Sequence, residues 1–334
     1  MAAQVLPAEV FEEHRGHLRA VAYRMLGSAA EADDAVQDAW LRAADADASE
    51  IREPRAWLTT VVARVCLNAL RTRRLRAEEP LVAAETGARA FTRGSGGGAG
   101  GTAGGEPAAG AATSVRAPAV PDPAQEAELA ESVGLALMVV LNTLGPAERL
   151  AFVLHDMFAV PFGEIAPLLE RSPAAVRQLA SRARRRVTGA DRPLPAPAAD
   201  LARQRRAVAA YLAAAREGDF RALLPLLHPD VVLHADAAAA GTPAPRVLRG
   251  AHQVARGAAA ASVAAPSSAL VLIDGHPGLV AAPGGRVAVA LRFVFAPGAG
   301  VGDAAIRGID VVAEPARLAA LRLALPASGV TPPG

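Results

Sequence analysis

The chain has 334 residues, no lysine, a single cysteine and a formal net charge of +2. That length accommodates two or three domains, and one cysteine, Cys66, excludes a disulfide framework and any cysteine-built metal site. The acidic opening, MAAQVLPAEVFEEHRG, lacks the apolar core of a secretion signal, and no uninterrupted apolar run approaches membrane-spanning length. A soluble, cytoplasmic protein without metal or cofactor is expected.

The first segment, residues 1–78, reads as three helices, at about 8–26, 30–45 and 54–75. In the second, EADDAVQDAWLRAA, the apolar positions Ala32, Ala35, Val36, Ala39 and Trp40 share one face. Asp33, Asp34, Gln37 and Asp38 share the other. Most acidic faces of this kind only keep a helix solvated. The third helix opens on Pro54, a residue suited to a first helical position. It is expected to bury Leu58, Val61, Val62, Val65, Ala69 and Leu70 while presenting Arg64, Asn68, Arg71 and Arg74. The loop 45–53 between these helices carries no aromatic residue.

Residues 79–124 include GSGGGAGGTAGGEPAAGAA, a composition that cannot bury enough apolar surface to fold, and are expected to be a flexible linker. Residues 125–190 return to helical periodicity and end in PFGEIAPLLERSPAAVRQLASRARRRV. Two short helices separated by a turn at Glu170-Arg171, the second capped by Ser172 and opened by Pro173, form a candidate helix-turn-helix. Pro167 is expected to fall within the unbonded first turn of its helix. On the second helix Val176, Leu179, Ala180, Ala183 and Val187 face inward. Arg177, Gln178, Ser181, Arg182, Arg184 and Arg185 face outward, with no acid among them. Two separate basic helices suit two contacts on one polyanion.

A short proline-rich linker, 191–200, leads into residues 201–325. Here two helices, a strand at 231–235 and another helix precede strands at about 269–273, 278–282, 286–295 and 305–313. Helices first and a curved antiparallel sheet afterwards make an α+β domain. Residues 326–334 form a tail.

EADDAVQDAWLRA, WLTTVVARVCLNALRTRR and LNTLGPAERLAFVLHDMFAVPFGEIAPLLERSPAAVRQLASRARRRV, in that order, resemble the extracytoplasmic-function sigma factors of RNA polymerase, in the sigma-70 family. The segment from 201 resembles the SnoaL-like, ketosteroid-isomerase-like cone that a sub-group of them carries at the C-terminus. The resemblance implies a multidomain fold: two all-α sigma domains, the second with a helix-turn-helix, and a C-terminal α+β SnoaL-like cone. It implies core RNA polymerase as partner, through the β′ clamp helices and the β flap. Asp33, Asp34, Gln37 and Asp38 would dock on the clamp. Arg64, Asn68, Arg71 and Arg74 would face the −10 element of double-stranded promoter DNA. Arg177, Gln178 and Ser181 would read −35 base edges, with Arg171, Arg182, Arg184 and Arg185 on phosphates.

The sub-group's Asp-Gly-Gly-Gly-Lys element survives here only as Asp236. Its Asn-Pro-Asp-Lys-Leu element survives as Glu314-Pro315-Ala316-Arg317-Leu318. Asp236, Glu314, Pro315, Arg317 and Leu318 are the expected regulatory contacts, and a small-molecule ligand is a candidate occupant of the cone. Two other functions compete: a ligand-responsive helix-turn-helix regulator that never meets polymerase, and a bifunctional protein whose cone is an isomerase- or cyclase-like enzyme. For the latter, His228, His234, Asp236 and Asp310 supply acid/base groups, but no spacing among them forms a dyad. The chain is accordingly expected not to be an enzyme.

Overall fold

The computed structural model describes residues 6–46, 51–78, 123–190, 197–260, 267–296 and 305–326. The expected linker 79–124 lies outside these residues except for its last two positions. The centre of the 45–53 loop, the first part of the 191–200 linker and nearly all of the tail also lie outside them.

Three helices come first: α1 (Ala8–Leu26), α2 (Ala29–Ala44) and α3 (Pro54–Glu78). The break between α1 and α2 is local chemistry. Gly27 takes a left-handed conformation, and the Ser28 side chain accepts a hydrogen bond from the Glu31 N–H. The buried face of α2 is nearly all alanine, which lets it lie close to α1 and α3. Along α3, Leu58, Val62, Val65 and Leu70 are buried as expected. Ala69 instead faces solvent, while Ala63, Cys66 and Leu67 are buried. The buried stripe rotates because α3 packs against α1 on one side and α2 on the other.

The next helices are α4 (Pro123–Asn142), α5 (Pro146–Phe152) followed by a π-helical turn at Val153–Met157, α6 (Phe162–Leu169) and α7 (Pro173–Thr188). The Ser172 hydroxyl accepts from the Ala175 N–H at 3.2 Å, opening α7 as its sequence predicts. Pro167 is the sixth residue of α6, beyond its unbonded first turn. The helix absorbs the lost bond on its exposed side, two residues before its last residue, Leu169, after which Glu170 takes φ +54°.

The remainder comprises α8 (Ala198–Glu217), α9 (Phe220–Leu223), β1 (Leu227–Ala235), α10 (Ala237–Ala240), β2 (Arg246–Arg249), α11 (Ala251–Ala260), β3 (Ser268–Ile273), β4 (His276–Ala281), β5 (Val289–Phe295), β6 (Ile306–Val312), α12 (Pro315–Ala320) and β7 (Leu323–Ala324). The strands form one sheet in the order β2-β1-β6-β5-β4-β3-β7. It is mixed, not wholly antiparallel: β1 and β6 pair in parallel. The long intervening chain can bring β6 back alongside β1 in the same direction, which a tight hairpin cannot do. The short elements β2, α12 and β7 carry no periodic signal and escape a reading by pattern.

Two cores result. One lies inside the cone, where Val231, Leu279, Leu291, Phe293 and Ile309 of the sheet meet Val208, Tyr211 and Leu223 of α8 and α9 and Val254 of α11. The other is shared by α1–α7 and the opposite sheet face, through Ala269, Val271, Ile273, Val280, Leu323 and Leu325. The alternation along β3 divides these residues, Leu270 packing on the first core and its neighbours Ala269 and Val271 on the second. Among the described residues, no helix is long and apolar enough to cross a membrane.

Candidate nucleic-acid interface

The acidic stripe lies on the outer side of α2. Asp33, Asp34, Gln37 and Asp38 are all exposed, opposite buried Ala32, Ala35, Val36 and Ala39. Asp33 is engaged with Arg19 of α1, whose Nε donates to it at 2.5 Å. That hydrogen bond holds its carboxyl below the usual range. Leu41, 58 % exposed one turn beyond Gln37 and Asp38, adds an apolar residue to the stripe. Sequence reading missed it, although an unburied leucine at helical spacing from the acids was the available signal.

On α3, Arg64, Asn68 and Arg71 form an exposed line. Arg74, also exposed, sits where α3 meets the start of α5, its guanidinium 3.8 Å from where a Cβ on Gly145 would lie. Beneath the line, burial pushes the Cys66 thiol up to about 12, so it is an inert apolar filler. Thr59 is buried, bonding the Arg55 carbonyl and the His17 ring. Trp57 packs against the core.

The helix-turn-helix presents its first helical turns outward. Arg177 and Gln178 are exposed, Ser181 is half-buried and Arg171 stands at the turn. Arg177 lies over the Phe162 ring at 5.4 Å, and the other aromatic partner of that ring is His155, stacked at 3.7 Å. Phe162 therefore pre-orients Arg177 through a cation–π contact, a role invisible from spacing because ring and guanidinium lie on different helices. Further along α7 the arginines are tethered within their own helical unit. Arg184 bonds Asp156, Arg186 bonds Glu148 at 2.7 Å, and Arg182 lies 4.0 Å from the same glutamate. The structure thus separates a forward group, Arg177 and Gln178, from a rear group held by carboxylates.

The C-terminal candidates fall into a different pattern. Asp236 is buried and turned into its own domain. It accepts from the N–H groups of Ala239, Ala313 and Glu314 and from Arg317, which also reaches Asp310. Glu314 and Pro315 start α12. Leu318, on that helix, is half-buried against the core shared with α1–α7. His234 is exposed, and His228 stands 4.0 Å from Asp230. In the cone core the Tyr211 ring packs edge-on against Phe293 among aliphatic side chains. Among the described residues no group of three or more His, Cys, Asp or Glu is arranged to hold a metal.

Helix α7 is anchored to the sheet at its far end. The Val187 carbonyl accepts from the Leu325 N–H at 2.8 Å. Gly189, at φ +68°, ends the helix so close to β7 that a Cβ there would stand 3.1 Å from Ala324. A second contact joins α1, α4, α5 and the turn between β4 and β5. Asn142 donates to the Gly285 carbonyl and accepts from Arg149, whose Nη2 donates to the Arg24 carbonyl at 2.9 Å.

Comparison with known proteins gives consistent matches. Residues 10–76 match sigma-70 region 2, and residues 134–187 match sigma-70 region 4. The chain is 41% identical over 257 residues to the ECF RNA polymerase sigma factor SigJ of Mycobacterium tuberculosis, covering 74% of this chain and 70% of that protein. It is 34% identical over 224 residues to a probable ECF RNA polymerase sigma factor, SigI, of the same species, covering 67% and 68%. Among solved structures, the crystal structure of the M. tuberculosis extracytoplasmic function sigma factor SigJ aligns over 93% of this chain and 98% of that one, at 31% identity and a TM-score of 0.40.

Proposed function

The chain belongs to the extracytoplasmic-function sigma factors of RNA polymerase, and from that membership we propose how its surfaces divide the work. It binds core polymerase and directs transcription initiation at promoters, and it does so in the cytoplasm, beside the chromosome. The observation that carries the assignment of surfaces is the succession, in one chain, of an exposed acidic stripe, an exposed arginine–asparagine line and a capped basic helix-turn-helix. A regulator that ignored polymerase would need only the last of these.

In this reading Asp34, Gln37 and Asp38, with Leu41, meet the β′ clamp helices, where carboxylates exclude wrong partners by charge and the leucine contributes apolar contact. Asp33 joins them only by exchanging its bond to Arg19. Arg64, Asn68 and Arg71 face the −10 element, and Arg177, Gln178 and Ser181 face −35 base edges. Arg171 and Arg185 hold phosphates. Arg182 does so after leaving Glu148, which Arg186 still engages, and Arg184 after leaving the largely buried Asp156, the costlier of the two exchanges. We read the cone as a regulatory part, in which Asp236 serves as the acceptor for three backbone N–H groups and Arg317.

Regulation is supported by the packing. Promoter elements about 25 base pairs apart lie roughly 85 Å apart along B-DNA, whereas here α3 and α7 line one groove. The compact arrangement must therefore open for both elements to be held, and the cone, wedged against α4 and α7, biases that step.

The test is reconstitution with core polymerase on a bipartite promoter. Replacing Asp34 and Asp38 together by arginine is expected to weaken core binding at least tenfold while leaving the helical circular-dichroism signal unchanged. No association of the wild-type protein with core enzyme would sink the assignment. On the DNA side, Arg177→Ala should lose roughly 1–3 kcal/mol on the preferred −35 sequence and far less on a scrambled one. Arg185→Ala should weaken both alike and flatten the salt dependence. Identical behaviour of the two variants in binding titrations would invalidate this division of the helix.

A further inference from the structure

We propose that the groove between α3, α5 and α7 is a binding site for a small polyphosphate anion, such as pyrophosphate or the phosphate tail of a nucleotide. The groove has a volume of about 980 Å³, within the range of small-molecule sites. It is lined by Arg73 and Arg74 from α3, Arg149 from α5, Arg186 from α7 and Arg286 before β5. Against these five arginines stand two carboxylates, Glu31 and Glu148, already engaged by Arg73 and Arg186.

Arg149 is the decisive residue. It is 2 % exposed, yet its partners are the Arg24 carbonyl and the Asn142 side-chain oxygen, both neutral. No carboxylate among the described residues lies within ion-pair distance of it. Burial, and then the charge of Arg73, lower its pKa to about 10. A buried guanidinium is costly without a counter-charge, and the space in front of this one is walled by further arginines. An anion there would neutralise Arg149 and relieve its repulsion with Arg73. A polyphosphate matches several guanidinium forks at once, which a monovalent anion does not.

The walls come from distant parts of the chain, so the groove exists only while those parts are together. A bound anion must therefore stabilise the compact arrangement over the open one. This regulatory consequence rests on the sigma-factor reading above, whereas the binding itself does not.

The test is calorimetric titration of the full-length protein, without polymerase or DNA, with sodium pyrophosphate, ADP and adenosine. Pyrophosphate and ADP are expected to bind once per chain and to raise the thermal midpoint, and adenosine to do neither. Equal affinity for the two anions would place all recognition on the phosphates, and tighter ADP binding would add a nucleoside contact. Arg149→Met is expected to weaken binding at least tenfold. Arg286→Ser, a surface change that does not endanger folding, should weaken it severalfold, and Arg177→Ala should have no effect. Absence of saturable binding, insensitivity to Arg286→Ser, or loss with Arg177→Ala would each overturn the proposal. Binding of the same protein to core polymerase, measured without nucleotides or pyrophosphate, reports separately on the sigma reading: core binding without pyrophosphate binding rejects the anion site alone.

Discussion

Ending the chain after Leu194 is expected to lower −35-dependent transcription about tenfold at equal protein level, with core binding through α2 retained. The reason lies in the shared core. Val271, Ile273, Leu323 and Leu325 of the sheet belong to the same buried cluster as Leu141, Leu150 and Val187 of the helix-turn-helix unit. The end of the recognition helix is tied to β7 by the Val187–Leu325 hydrogen bond. Uncovering even roughly 100 Å² of apolar surface costs about 2.5 kcal/mol, more than a tenfold shift in an equilibrium. The cut therefore frees α7 from its support and leaves an apolar face on α4. Transcription should be compared on promoters with an intact and a scrambled −35 element, the loss appearing only on the first. Unchanged output on both would make the cone a passenger, and increased output would make it a clamp whose removal outweighs the lost support.

Asp236→Ala is expected to unfold the C-terminal part, with a loss of about 3 kcal/mol or more, because three backbone donors and Arg317 lose one buried acceptor together. Asp236→Asn should fall between the variant and wild type, since it keeps an acceptor oxygen but no charge. Desolvation pushes the Asp236 pKa up. The N–H groups of Ala239, Glu314 and Ala313, with Arg317, outweigh that effect and hold it below the ordinary carboxylate range. Because the folded value lies below the unfolded one, its contribution to stability is complete above about pH 4 and disappears as the pH falls through the folded value. Denaturant unfolding from pH 7 to pH 3 measures this. The wild type should lose more stability than Asp236→Asn, and parallel curves would show that the carboxylate charge does not support the fold. Promoter output of Asp236→Ala should resemble that of the truncated chain, through loss of the platform under α7 and not through loss of a surface contact.

Short-range chemistry made much of the N-terminal architecture legible in the sequence. A cap such as Ser172 bonds three residues away, and Gly27 ends α1 without help from the rest of the chain. The acidic face of α2 follows from helical period alone, because a helix with one apolar stripe has only one way to turn. On α3 the period located the exposed line, but packing against α1 and α2 moved the buried stripe to Ala63, Cys66 and Leu67. The tertiary structure decided what depends on partners far along the chain. Pairing β1 with β6 in parallel, or adding Leu323–Ala324 as an edge strand, carries no local signature. Asp236 read as a polar residue at a strand end, and only the return of the chain at Ala313–Glu314 turns it into a buried fourfold acceptor. Arg149 was one arginine among many until α1, α4 and α5 closed around it. Phe162 gained its hold on Arg177 from the fold as well, since ring and guanidinium lie on different helices and only the packing of α6 against α7 brings them within 5.4 Å.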